Sequence, residues 1–125
     1  MRKYSDISLE RLCTCHPKLQ VLFKQVLADA DHSIICGHRG ELDQNLAFES
    51  GKSKVKYPNS KHNEYPSRAV DVAPWPIDWS NVERFETFSA VVKRAAEGLG
   101  IKVVWGGDWT GFRDLPHWEL HKEEE

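Results

Sequence analysis

No stretch of this 125-residue sequence approaches the roughly 20 consecutive apolar residues needed to cross a bilayer, the longest candidates being short segments such as residues 33–36. The amino terminus, MRKYSDISLERLC, is positively charged but lacks the apolar run of a secretory signal, so synthesis in the cytoplasm without a leader is expected. A basic excess is also missing. The 17 Lys and Arg residues against 19 Asp and Glu argue against the broad phosphate-neutralising surface of most nucleic-acid binders. The three cysteines, Cys13, Cys15 and Cys36, cannot all pair within one chain and read as buried thiols, which excludes a disulfide framework. No internal repeat or low-complexity tract occurs, apart from an acidic tail over residues 123–125. What remains is an ordinary globular composition, in a length that suits one compact domain over residues 1–125.

Along the chain, Ser8 is positioned to cap a short helix running through Thr14, and Pro17 suits the first turn of a second helix. That second helix carries Leu19, Leu22, Phe23, Val26 and Leu27 at helical spacing, the pattern of a core-facing stripe. Residues 33–36 are apolar and partly β-branched and stop at Gly37, which predicts a strand leading into a loop over residues 37–40. Residues 41–50 have helical composition ending at Gly51, and residues 52–61 form a polar, basic, turn-rich surface loop. Residues 69–73 predict a strand. Ser80 or Asn81 then caps a long helix ending near Gly98 or Gly100, with Phe85, Phe88, Val91, Val92 and Ala95 as its buried stripe. Residues 101–105 form a further strand, and Trp118 alternating with Leu120 forms the last. This order predicts an α+β fold: a small, mainly antiparallel sheet with helices packed against it.

Three positions could supply the ligands of a catalytic zinc, which leaves its fourth tetrahedral position open. His62 and Asp71 bracket a loop and the start of a strand, and His117 opens the final strand. Alternation puts His117, Glu119 and His121 on one face of that strand, with Trp118 and Leu120 on the core face. Asp114 lies one short loop before His117, where it is either a turn residue or the base that activates water; Glu119 is the competing base. Arg39, at a strand end, could stabilise a developing oxyanion or bind a substrate carboxylate. Of five tryptophans, Trp105 and Trp118 are assigned to the core, and Trp109, in a Gly-flanked loop, to a cleft. Cys13, Cys15 and His16 lack the spacing of a structural zinc site.

The run SKHNEYPSRAVD at residues 60–71, with DLPHWEL at residues 114–120, resembles the two metal motifs of the D-Ala-D-Ala carboxypeptidase and L-alanyl-D-glutamate peptidase family (peptidase M15), in its phage endolysin type. The resemblance extends through CGHRGELDQ at residues 36–44 and WGGDWTGFRDLPHWEL at residues 105–120, covering most of the chain. Two departures are visible: Ser67 stands where the family usually has Gly, and the spacer from His to Asp is two residues longer. The resemblance implies a hedgehog/D-Ala-D-Ala-peptidase-like fold, zinc (Zn2+) on His62, Asp71 and His117, and Asp114 as catalytic base with Arg39. Ser60 and Gln44 are implied as substrate contacts, joined by Trp109.

On this resemblance the chain is expected to be a zinc metallopeptidase that hydrolyses an amide bond in peptidoglycan stem peptides, most plausibly the L-alanyl-D-glutamate bond. A D,D-carboxypeptidase or dipeptidase, and a non-catalytic zinc-bearing binding module of the same fold, are the alternatives. The expected partner is bacterial peptidoglycan, met as a monomer after release from the host cytoplasm, with no nucleic acid and no membrane insertion.

Overall fold

The computed structural model describes residues 2–125. Four helices, α1 (Asp6–Leu12), α2 (Pro17–Asp29), α3 (Glu41–Glu49) and α4 (Val82–Leu99), accompany four strands, β1 (His32–Cys36), β2 (Ala69–Pro74), β3 (Val103–Trp105) and β4 (His117–Leu120). Short 3-10 helices lie at Lys61–Asn63 and Gly106–Asp108. The strands form one antiparallel sheet in the order β1-β2-β4-β3. This is the α+β arrangement expected from the sequence pattern.

Local chemistry accounts for the helix boundaries, with one correction. Ser5, not Ser8, caps α1: its hydroxyl accepts from the Ser8 amide at 3.2 Å. Ser8 is instead buried and accepts from the Ile34 amide at 3.1 Å, tying α1 to β1. In α2, Pro17 occupies the first turn, where its missing N–H leaves no donor unsatisfied, and His16 caps it through Nδ1. Asn81 caps α4, and Gly100 ends it with φ 69°, a left-handed conformation that glycine adopts without side-chain strain. The buried stripe of α4 is Phe85, Phe88, Ser89, Val92 and Ala96. Val91 and Ala95 are only partly buried, so the stripe is rotated from the expected one by a fraction of a turn.

Period-two alternation then divides the sheet into two faces. Val70 and Val72 of β2, and Trp118 and Leu120 of β4, join Leu19, Leu22, Phe23, Val26, Phe85, Phe88 and Val92 in the core. Trp105 stacks on Trp118 with ring centroids 5.9 Å apart, so both tryptophans are core residues as expected. The intervening residues Asp71, His117 and Glu119 face away from the core and floor a cleft. One core-packed face therefore fixes the position of the polar face behind it.

Among the cysteines, Cys15 is buried and Cys36 partly so. Cys13 is exposed, because it follows the last turn of α1 on the solvent side, contrary to its reading as a buried thiol. All three are free thiols.

Candidate metal centre

Register brings the ligands together. Asp71 on β2 is the direct antiparallel partner of His117 on β4, a relation that places the two side chains side by side. His62 arrives from outside the sheet, on the 3-10 helix whose amino end is capped by Ser60: the Ser60 hydroxyl accepts from the His62 amide at 3.2 Å, and Asn63 caps back onto the Ser60 amide. On the other side of β2, the β1 register slips between Ile34 and Cys36, so that Cys36 lies opposite Asp71. Such a bulge bends a strand locally. Here it brings Cys36 and the following Gly37 towards His62.

His62 Nε2 lies 3.2 Å, and His117 Nδ1 3.3 Å, from Asp71 Oδ1. The donor atoms of His62, Asp71 and His117 all lie within 4.8 Å of one another, close enough to share one metal ion. The remaining nitrogen of each imidazole is already engaged. His62 Nδ1 donates to the Gly37 carbonyl at 2.7 Å, and His117 Nε2 is 2.7 Å from Glu119 Oε1. Each ring is thus fixed with its free nitrogen directed at Asp71, the arrangement seen around metal-ligating histidines. Two imidazoles and one carboxylate suit a borderline divalent cation such as zinc.

Charge is concentrated here on side chains that are largely buried. Burial works against an imidazolium at His62, but the Asp71 carboxylate outweighs it and holds the His62 pKa up at about 10. Burial similarly resists ionisation of Asp71, and the two histidines override it, keeping this carboxyl well below the usual carboxylate range. His117 is raised in the same sense as His62. Any cation placed between these side chains is therefore held by one strongly ionised carboxylate.

The cleft beside them has a volume of about 880 Å3. Asp114 lines it with Oδ2 4.0 Å from His117 Nδ1, and burial followed by repulsion from Asp71 raises its pKa. Its backbone is pinned: the amide donates to the Gly106 carbonyl at 3.0 Å, and its carbonyl accepts from the His117 amide at 3.2 Å. Arg39 also lines the cleft, with one guanidinium nitrogen 3.6 Å from Asp71 Oδ2 and the other donating to Gln44 Oε1 at 3.0 Å. Ser60 and Trp109 are lining residues as expected, Trp109 lying 5.1 Å from the His117 ring.

Gln44 differs from expectation. It is fully buried, receives Arg39 and Asn63 on Oε1, and donates to Ser53 Oγ and the Val55 carbonyl. With every polar atom used inside the protein, it touches the cleft through Arg39 and not directly. His121 lies beyond β4, where its Nδ1 accepts from the Glu123 amide, so it does not extend the His117 and Glu119 face. Glu119 does reach the site, but against the outer nitrogen of His117 and not beside Asp114. Gly37, Gly106, Trp79 and Phe112 were not legible as site residues. Gly37 contributes a carbonyl, and a Cβ on Gly106 would stand 2.4 Å from the Asp114 carbonyl oxygen. Trp79 and Phe112 line the cleft.

A small antiparallel sheet carries, on the face away from its core, a His-Asp-His group that could hold a metal ion, with a further carboxylate beside it. The family model for phage L-alanyl-D-glutamate peptidase matches residues 1–121, and the chain belongs to that family. It is 33% identical over 119 residues to the L-alanyl-D-glutamate peptidase of Escherichia phage T5, a match covering 90% of this chain and 85% of the relative. Its structure is similar to the crystal structure of the Serratia marcescens L-Ala D-Glu endopeptidase ChiX, with a TM-score of 0.82 at 29% identity over 94% of this chain and 89% of the other. The chain is accordingly a peptidase.

Proposed function

We propose that this protein hydrolyses the L-alanyl-D-glutamate bond in the stem peptides of bacterial peptidoglycan, with zinc held by His62, Asp71 and His117. The observation that carries this reading is the convergence of the three ligand atoms within 4.8 Å, with Asp114 beside them at the cleft wall. The activities of the phage T5 and Serratia relatives, both L-alanyl-D-glutamate peptidases, support the choice of bond. When bound, the metal lowers the pKa of a coordinated water and polarises a carbonyl. The chain's own groups do the rest. Asp114 accepts the proton of the attacking water and returns it to the leaving amine nitrogen, a role that needs a carboxylate aimed into the cleft. Arg39 donates from its guanidinium to the oxygen on which negative charge develops. Gly37 and Glu119 keep the two imidazoles turned towards Asp71. Ser60 and Trp109 contribute to the substrate wall. A binding module has no need of Asp114, whose carboxylate makes no hydrogen bond that would give it a structural role.

The protein is proposed to work as one domain and as a monomer on the cell wall. Among the described residues, no helix is long and apolar enough to cross a membrane. Mass spectrometry of purified peptidoglycan after incubation with the zinc-loaded protein tests the reading. New N-terminal D-glutamate is the expected product. Intact stems overturn the reading, and release of terminal D-alanine in its place would assign a D,D-carboxypeptidase.

A further inference from the structure

The charges of the cleft are segregated. Its three carboxylates, Asp71, Asp114 and Glu119, all lie at the metal ligands, whereas Lys52, Lys54 and Lys61 come from the segment over residues 52–61 that forms one wall. The aromatic side chains Trp79, Trp109 and Phe112 also line the cleft. Lys61 is 3.9 Å from Glu119, and Arg39 is committed to Asp71 and Gln44. Among the described residues, Lys52 and Lys54 belong to none of the ion pairs. Lys54 is nevertheless held in place: its ammonium lies 4.8 Å from the centroid of the Phe112 ring. An ammonium fixed on a ring face keeps its charge and its remaining N–H donors available.

Resting on the proposed cleavage of the L-alanyl-D-glutamate bond, we infer that Lys54, assisted by Lys52, is a specificity-determining residue that selects a substrate with a free carboxylate next to the scissile bond. D-Glutamate in such a stem uses one carboxyl group for the next peptide bond. The other is either a carboxylate or its carboxamide. Lys54 distinguishes these because its ammonium forms an ion pair with the first and only an ion–dipole hydrogen bond with the carbonyl oxygen of the second. Phe112 acts through Lys54 by holding the ammonium among the side chains that line the cleft.

The test uses two synthetic stem peptides identical except for carboxylate or carboxamide on D-glutamate, cleaved by zinc-loaded protein. Wild type should favour the carboxylate by about two- to fivefold in kcat/KM, the range expected of one exposed charge pair. In Lys54→Gln the ratio should fall towards one, in Lys54→Glu it should invert, and in Phe112→Leu it should fall part-way because the charge remains but its position loosens. Circular dichroism and zinc content confirm that each variant is folded and loaded. An unchanged ratio in Lys54→Gln overturns the inference, as does an equal loss on both peptides, which would mean a general attraction to the wall. Equal cleavage of both peptides by wild type overturns this inference alone, whereas cleavage of neither overturns the proposed function with it.

Discussion

Replacing Asp114 by Asn removes a proton acceptor and almost nothing else. The side chain is about one quarter exposed, its carboxylate lies 4.0 Å from His117 Nδ1, and its anchoring hydrogen bonds belong to the backbone. Asn keeps the shape and those backbone bonds, and it relieves the repulsion from Asp71 that raises the Asp114 pKa. The stability change should therefore stay within about 1 kcal/mol, as for substitutions that create no cavity and orphan no partner. Activity should fall much further. General base catalysis contributes typically ~10^2 to 10^4-fold, so kcat should drop by that factor, equivalent to about 3–5 kcal/mol of transition-state stabilisation. The assay pairs turnover of a stem peptide with zinc content and a denaturation curve, and Glu119→Gln is measured alongside. Glu119 touches the outer nitrogen of His117 at 2.7 Å, so its loss should weaken metal affinity by roughly 10–100-fold, with turnover recovering as zinc is added. An Asp114→Asn protein that stays active, or that loses its metal, would refute the assignment; a dead but zinc-replete Glu119→Gln would move the base to Glu119.

Gly106→Ala should destabilise the protein by about 1–3 kcal/mol and lower turnover, because a Cβ there meets the Asp114 carbonyl oxygen at 2.4 Å and the His117 Cβ at 3.0 Å; a melting curve and activity matching wild type would contradict the packing argument. Arg39→Ala should reduce kcat by roughly 10^2-fold while zinc content persists, and undiminished turnover would remove Arg39 from the chemistry. The pH dependence of the chelated protein follows from His62, whose pKa is about 10 in the fold against an ordinary value of 6.5. A raised pKa contributes stability that is complete below pH 6.5 and is lost as pH rises through 10. The urea midpoint in chelator should therefore fall across that window and hold steadier with zinc present; a chelated midpoint that rises would refute the coupling of His62 to Asp71.

Much of this was legible along the chain because it depends on local rules. The β2 and β4 segments alternate, and that alone puts Asp71, His117 and Glu119 on the face opposite Val70, Val72, Trp118 and Leu120. Pro17, Asn81 and Gly100 announce helix ends by their own conformational preferences. The family resemblance named the metal ligands and Asp114 for the same reason: the motif residues lie within short segments. What sequence could not supply was everything set by one segment meeting another. Ser8 looked like a cap and is an acceptor for a β1 amide; Gln44 looked like a substrate contact and is a buried hub for Arg39, Asn63 and the lysine-bearing wall. The Gly37 carbonyl that orients His62, and Lys54 on the Phe112 ring, join residues 25 and 58 positions apart (112 − 54 = 58 for the second). Such contacts obey no sequence period, because they are fixed only when the antiparallel register of β2 with its two neighbours brings distant loops to the same edge of the cleft.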